Sequence, residues 1–377
     1  MSSSHENILS QMASIHQIRG SLLEEVVLLL LARSGYRRVQ LGEEGTRNGR
    51  AGLEVEGRGT VHQIDALVTP FHSHAFIYPI RLLVEAKCEA SPLGLAVVRS
   101  VVGSVFDINQ NYFAGRLPDG RELRMQRFNY HAAIFAANGY SANAEQYALA
   151  HQVFLIDYSH VGAMRPVVDG LLTLEVGDFR DMIQRGGRRN LTTIRQAFRT
   201  VLEDEGVDGE PEVFSEQGIQ KLDERLIPAI RELRGSYYGM IEGIYPVHLI
   251  SRREIPARLL RERPVIPCEI RVREDEQVWA FEPSEIPRES PDFFHLEFTI
   301  PEFIADMLNA RTEQHLERGA RWAQIANIKQ QYLRFVDVTT ISEGQMLGVR
   351  LALDVNWLNR YLDSLRLRED RKPDREE

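Results

Sequence analysis

The chain has 377 residues, enough for two domains of ordinary size, and its 43% hydrophobic and 26% charged residues are typical of a globular protein. No window reaches the roughly 18 consecutive apolar residues that a membrane-spanning helix needs, and the N-terminus lacks the basic and apolar regions of a secretory signal. Two cysteines, Cys88 and Cys268, provide neither a disulfide framework nor zinc-ligand spacing. We therefore expect a cytoplasmic protein without membrane association.

The charge is acidic but uneven. A formal net charge of -9 excludes a simple nucleic-acid coat protein, which would be basic. Residues 1–160, however, hold 14 Arg or Lys against 15 Asp or Glu, so this segment is nearly neutral. The chain has only four lysines, Lys87, Lys221, Lys329 and Lys372. Because arginine has so generally replaced lysine, Lys87, which lies between apolar neighbours, calls for a chemical explanation.

The first predicted element is a helix over residues 18–36, with Ser21 as its N-cap. It is apolar nearly all round, so we expect it to be buried on most sides. Glu24 and Glu25 interrupt its apolar surface. A short strand follows at residues 36–41.

Two strands come next. The alternation in residues 61–68 predicts a strand that places Gln63 and Asp65 on one face. Residues 77–88 form a second strand, whose apolar density indicates a central position in a sheet. The later elements are a helix at 94–109, a polar hairpin at 118–120, a strand at 130–137, a helix at 143–151 and a strand at 153–156. This order is typical of an α/β or α+β domain with a mixed central sheet.

The remaining chain is charged and helical near residues 169–209, and the acidic stretch at 203–211 is the predicted domain boundary. Beyond it we predict helices at 216–235, 301–318 and 357–367, and strands at 244–250, 265–272 and 293–300. The predicted domains are a first domain at 1–165, a helical connector at 166–210, an α+β accessory or recognition domain at 211–367 and a charged tail at 368–377.

The residues with chemical potential stand on the two neighbouring strands. Residues two apart in a strand point the same way, so Glu85 and Lys87 share a face, and Asp65 lies beside Glu85 if the strands pair. Two adjacent carboxylates repel each other unless a cation joins them, and their oxygens suit Mg²⁺ or Mn²⁺. A neighbouring lysine adds a positive donor that can hold, or help to deprotonate, an attacking water. Phosphodiester hydrolysis needs these parts.

This pattern, Asp65 followed by Glu85-Ala86-Lys87, resembles the signature of the PD-(D/E)xK nuclease superfamily, and in particular the Mrr-like restriction endonuclease group. The preceding helix carries that group's Gly-x-x-apolar-Glu pattern as Gly20 to Glu24. Gly35-Tyr36 then opens the first strand, and residues 130–161 resemble the group's closing strand–helix–strand unit. The likeness spans residues 20–161, about two-fifths of the chain, and implies a restriction-endonuclease-like mixed sheet flanked by helices.

The resemblance also implies roles. Asp65 and Glu85 would be ligands of Mg²⁺ or Mn²⁺ together with the carbonyl of Ala86, and Lys87 would orient the water and stabilise developing charge. Glu24 would lie near the metal, and Gln63 could reach the same site. The sequence departs from the pattern in having Ile before Asp65, where relatives often have Pro or Gly, and Glu at position 85, where the Mrr-like group often has Gln. Neither departure removes a charged group.

Each of these residues has a simpler interpretation. Glu24 and Glu25 can instead favour the positive end of their helix, and Gln63 can be an ordinary strand residue. Asp65, Glu85 and Lys87 can form a solvated ion-pair cluster on an edge strand. The other candidates are expected to be structural: His62 and Cys88 in the core, and His72 and His74 in a loop.

Arginines indicate where nucleic acid would bind. Arg99 follows the second strand on a helix that could line the cleft. Four more form a basic hairpin, either a backbone-tracking surface or a solvated hairpin: Arg116, Arg121, Arg124 and Arg127.

The sequence therefore favours a Mg²⁺-dependent endonuclease that cleaves DNA, with an accessory C-terminal domain. The resemblance implies a prokaryotic role in defence against foreign DNA, as a restriction-type or phage-triggered effector with a defence-system partner or activator. Cleavage of both strands needs two active sites, which favours a homodimer. The choice of DNA over RNA follows from family analogy alone. The alternative is a non-catalytic nuclease fold that binds nucleic acid or a partner protein, although such a protein has no need of clustered acids.

Overall fold

The computed structural model describes residues 14–49, 52–72, 77–125, 127–179, 190–203, 221–241, 245–273, 278–302, 333–342 and 344–369. These residues form two compact units. The first contains the described residues up to Ser159 and from Met164 to Glu232, and the second contains His160–Ala163 and the described residues from Leu233 onward. The described part of the predicted connector at 166–210 is therefore included in the first unit.

The described chain is a mixed α/β structure with several sheets and eight α-helices. The helices are α1 (Ile15–Arg33), α2 (Leu95–Asn109), α3 (Ala142–Ala150), α4 (Arg165–Leu172), α5 (Asn190–Glu203), α6 (Ile227–Arg231), α7 (Ala257–Glu262) and α8 (Val355–Glu369). None of them, within the described ranges, is both long and apolar enough to cross a bilayer.

The strands of the first unit are β1 (Tyr36–Arg38), β2 (Thr46–Gly49), β3 (Gly52–Glu56), β4 (Val61–Gln63), β5 (Ala66–Pro70), β6 (Ile80–Lys87), β7 (Phe113–Arg116), β8 (Glu122–Met125), β9 (Asn129–Ala136) and β10 (Phe154–Asp157). Five of them form the main sheet, in the order β1-β5-β6-β9-β10. The pairs β1·β5 and β5·β6 are antiparallel, whereas β6·β9 and β9·β10 are parallel. The predicted central position of the second strand is confirmed, because β6 lies in the middle of this sheet.

Helix α1 begins earlier than predicted. Ser14, not Ser21, is the N-cap: its hydroxyl accepts a hydrogen bond from the backbone of Gln17, whose side chain accepts one from the backbone of Ser14. Ser21 lies inside the helix. Burial on most sides is confirmed, since all the apolar residues from Ile18 to Leu31 except the half-buried Leu29 are almost inaccessible to solvent.

The strand predicted at residues 61–68 is in fact two strands in different sheets. β4 pairs with β3 in a three-stranded sheet β2-β3-β4, and β5 pairs with β1 and β6 in the main sheet. Ile64 and Asp65 lie between them, where the chain passes from one sheet to the other. The prediction of one continuous strand over residues 61–68 was therefore wrong.

The second unit is a closed barrel of seven strands, in the order β11-β12-β15-β14-β13-β17-β16, with β16 also pairing with β11. The strands are β11 (Gly235–Ile241), β12 (Tyr245–Ser251), β13 (Val265–Arg273), β14 (Val278–Pro283), β15 (Leu296–Thr299), β16 (Phe335–Ser342) and β17 (Gln345–Leu353). Its core includes Trp279 and a stacked pair, Phe281 and Phe298, with ring centroids 5.3 Å apart. The sequence predicted three of these strands and no barrel, and the predicted helix at 301–318 lies almost wholly outside the described residues.

Candidate active site

Asp65, Glu85 and Lys87 come together where β5 and β6 meet. The antiparallel register pairs Ala66 with Val84, which places the preceding Asp65 beside Glu85. The ammonium nitrogen of Lys87 lies 3.7 Å from Oδ2 of Asp65 and forms a close ion pair with Oε1 of Glu85. The structure thus brings together the three residues that the strand pattern predicted to be neighbours.

The cluster has more negative than positive charge and is partly exposed to solvent. The side chains of Asp65, Glu85 and Lys87 are 37%, 26% and 32% exposed. Burial and the charge of Asp65 raise the pKa of Glu85, and Lys87 offsets this only in part. Although burial opposes it, Glu85 and Asp65 raise the pKa of Lys87, so the amine is an ammonium at neutral pH. Two acids therefore share one cation here.

The oxygen donors of this cluster fit a hard divalent cation. Asp65 and Glu85 supply carboxylates, and the intervening Ala86 supplies a backbone carbonyl. Helix α1 approaches closely at this carbonyl: a Cβ added to Gly20 would lie 3.3 Å from the oxygen of Ala86. Within the described residues, no group of three or more His, Cys, Asp or Glu side chains could hold a metal. An ion here would therefore depend on two carboxylates, a carbonyl and water, a set that suits Mg²⁺ or Mn²⁺ better than zinc.

Glu24 extends the cluster from α1. It is 2% exposed, and burial raises its pKa to about 8, with the charges of Asp65 and Glu25 acting in the same direction and Arg195 opposing them. Its negative charge also contributes to the raised pKa of Lys87. Glu24 lies in the third turn of α1, which begins at Ile15, so the simpler interpretation as a charge at the helix start is wrong.

Sequence reasoning missed three arginines behind the cluster. Arg195, on α5, donates to Oε1 of both Glu24 and Glu25. Arg199, one turn further along α5, donates to both oxygens of Glu25 at 2.9 Å, and Arg38 on β1 donates to Oε2 at 2.6 Å. Although burial opposes it, these contacts lower the pKa of Glu25 to about 2. The available signal was the spacing of four between Arg195 and Arg199, which places both on one helix face.

Other candidates lie elsewhere. Gln63 is exposed and opposes Glu54 in the pairing of β3 and β4, a sheet separate from that of Glu85. His62 is not a core residue, since its Nε2 lies 2.8 Å from Oδ2 of Asp107 and the contact is partly exposed.

Cys88 is 1% exposed and its thiol pKa is raised by burial to about 12, as expected of a small core residue. His72 is exposed, as expected of a loop residue, and His74 lies outside the described residues.

The predicted arginine surface is largely balanced by acids. Arg99 is exposed on α2, with its guanidinium carbon 5.6 Å from the ring centroid of Tyr147. In the hairpin of β7 and β8, Arg116 opposes Glu122. Arg121 contacts Asp119 at 2.7 Å, and Arg127 contacts Glu44. Arg124 lies on β8, but its side chain is outside the described part of the structure. The hairpin is therefore less basic than its arginine count indicates.

Comparison of the chain with models of protein families, with characterised proteins and with solved structures found no significant match. A functional assignment therefore depends on the residues of the site and their geometry.

Proposed function

We propose that the first unit is a metal-dependent endonuclease that hydrolyses phosphodiester bonds in DNA, in prokaryotic defence against foreign DNA. The observation that carries the proposal is the meeting of Asp65, Glu85 and Lys87 at the ends of two paired strands, next to the buried Glu24. A restriction-endonuclease-like core is supported by the order of α1, the antiparallel strands β1, β5 and β6, and the parallel unit β9-α3-β10.

Each residue of the proposed active site would have its own role. Asp65, Glu85 and the Ala86 carbonyl would hold Mg²⁺ or Mn²⁺, which when bound stabilises charge on a phosphate oxygen and lowers the pKa of an attacking water. Lys87 donates a hydrogen bond to that water or to the phosphate, because its two acidic neighbours keep it cationic. Glu24 would add a third acidic side chain at the back of the same site, and a bound cation would favour its ionised form, which burial disfavours.

The alternative is a nuclease-like fold that only binds nucleic acid or a partner protein. A surface that binds a polyanion is expected to be basic. The cluster instead leaves two carboxylates sharing one ammonium, which would repel a phosphate backbone unless a metal ion is present. The charge balance therefore favours catalysis over binding alone.

The proposal is tested by incubating the full chain with supercoiled plasmid, with and without Mg²⁺ or Mn²⁺. We expect metal-dependent nicking or linearisation that falls about 100-fold or more in Lys87→Ala, the range for loss of one charge-stabilising donor. Lys221→Ala is the matched control, because Lys221 also forms an ion pair, with Asp178 at 2.9 Å, and its side chain is 37% exposed.

The outcomes separate the two functions. Cleavage that survives in Lys87→Ala, or that needs no metal, contradicts the assigned site. A folded protein that binds DNA but does not cleave it, whichever metal is added, supports the binding module or the need for an activator, which infected-cell extract would supply. Parallel reactions with single-stranded DNA and RNA test the substrate class, and linearisation that rises with protein concentration supports a homodimer.

A further inference from the structure

Helix α5 brings a pair of arginines against two buried acids of α1. Glu24 and Glu25 are each 2% exposed, and burying carboxylates of this kind requires compensating charge. Arg195 and Arg199, one turn apart on α5, supply it. The contact belongs to the first unit, but α5 lies outside residues 20–161, which carry the likeness to nucleases.

The two arginines differ in what they reach. Arg199 contacts Glu25 through two hydrogen bonds, and Arg38 contacts the same carboxylate from β1. Arg195 contacts Glu25 as well, but its Nη2 also donates to Oε1 of Glu24. Three guanidinium groups thus contact Glu25, and that of Arg195 contacts Glu24 as well.

Glu24 in turn faces the candidate active site. Gly20, one turn earlier on the same face of α1, lies against the Ala86 carbonyl, since a Cβ added there would be 3.3 Å from that oxygen. In agreement with this placement, the charge of Asp65 acts on Glu24 and that of Glu24 on Lys87. A guanidinium fixes a carboxylate in one orientation because its donors form a rigid planar fork. The position of the Glu24 carboxylate relative to Asp65 and Lys87 therefore depends on a residue that comes from α5.

We propose that Arg195 is a positioning residue of the active site, which holds the Glu24 carboxylate toward the metal-binding residues and makes α5 part of the catalytic unit. This inference rests on the proposed nuclease function. Without Arg195, the buried Glu24 carboxylate would lose this hydrogen-bond donor and could turn away, so its oxygens would no longer be held toward the metal-binding residues.

Arg195→Gln and Arg199→Gln form a matched pair: each removes one guanidinium from Glu25 on the same helix face, but only the first removes the contact with Glu24. We would measure Mn²⁺ affinity of the full chain by electron paramagnetic resonance, and plasmid cleavage alongside it. Arg195→Gln is expected to weaken Mn²⁺ binding at least fivefold and cleavage at least tenfold, whereas Arg199→Gln changes each less than twofold. Arg195→Lys, which keeps the charge, should recover part of both and guards against loss of folding.

A double variant tests whether Arg195 acts through Glu24. In a Glu24→Gln background, Arg195→Gln should cause no further loss of Mn²⁺ affinity, because the carboxylate that it positions is already absent. Equal effects of Arg195→Gln and Arg199→Gln, or full additivity with Glu24→Gln, would overturn the positioning role. The nuclease proposal would still be supported in that case if the wild-type chain bound Mn²⁺ and Asp65→Ala did not. A wild-type chain that binds no Mn²⁺ and cleaves nothing would overturn both.

Discussion

Each unit of the protein holds a cluster of acidic and cationic side chains beside its strands, but the charge balance differs. Two acids share one cation in the first unit, whereas three acids meet three cations in the barrel. In the first unit, Asp65 and Glu85 share Lys87, and the pKa of Glu85 is raised. In the barrel, Glu282 on β14 accepts hydrogen bonds from Arg271, Arg288 and His295, each at 2.8 Å. Although burial opposes it, these partners lower the pKa of Glu282 to about 2.

This difference distinguishes the proposed active site from a structural network. Acids that are fully matched by nearby cations stabilise a fold and leave no net charge for a ligand. Acids that are held together with too little positive charge raise each other's pKa, and a bound cation relieves that cost. Two neighbouring residues of α1 in the first unit show the same difference. Glu25 contacts three arginines and has a pKa of about 2, whereas Glu24 has a pKa of about 8.

The largest expected effect is on catalysis at the under-neutralised cluster. Asp65→Asn should reduce metal-dependent cleavage by about 100-fold or more, because it would remove a charged carboxylate from the proposed metal site. Plasmid cleavage and Mn²⁺ binding measure it together. The control is Asp169→Asn, which changes a surface ion pair with Arg165 on α4. Unchanged Mn²⁺ binding in Asp65→Asn would remove Asp65 from the site.

The next effect is on stability at the fully matched cluster. Glu282→Gln should lower the free energy of unfolding by on the order of 3 kcal/mol, because three cationic groups lose their shared partner. Hydrogen exchange of the barrel strands in the full chain measures it. Glu262→Gln, in an exposed pair with Arg258, should cost no more than about 0.5 kcal/mol. Equal effects of the two variants would mean that the barrel network is not structural.

A smaller effect is the pH dependence of the barrel. Glu282 and then Glu297 raise the pKa of His295 from 6.5 to about 9. A cationic His295 therefore contributes stability that is fully present below pH 6.5 and is lost as pH rises through 9. Hydrogen exchange between these pH values should show the loss, after correction for intrinsic exchange rates, and His295→Gln should flatten it. A variant with the same slope as the wild type would assign the pH dependence to other groups.

The smallest effect on stability is expected at Glu85, and it has the opposite sign to the effect at Glu282. Because the pKa of Glu85 is raised, its ionised form costs stability at neutral pH. Glu85→Gln should therefore leave the free energy of unfolding unchanged or raise it, by less than about 1 kcal/mol, while abolishing cleavage. Thermal unfolding at pH 7 measures the change. Clear destabilisation would place Glu85 with the structural acids.

Sequence patterns were most informative where they are local. Alternation alone predicted that Glu85 and Lys87 share a face, and apolar density predicted the central position of β6. They were misleading where two elements abut, because residues 61–70 keep their apolar spacing while passing between two sheets. This crossing placed Gln63 in a different sheet from Glu85.

The amino-acid sequence by itself determined the candidate cluster of Asp65, Glu85 and Lys87, since strand periodicity and pairing of neighbouring strands suffice to bring those residues together. The tertiary structure alone decided the rest. It closed seven strands into a barrel through the pairing of β11 with β16, which are about 100 residues apart in sequence. It also brought Arg195 of α5 to Glu24 of α1, 171 residues earlier. Contacts across such separations depend on packing of the whole unit, and no local spacing in the chain encodes them.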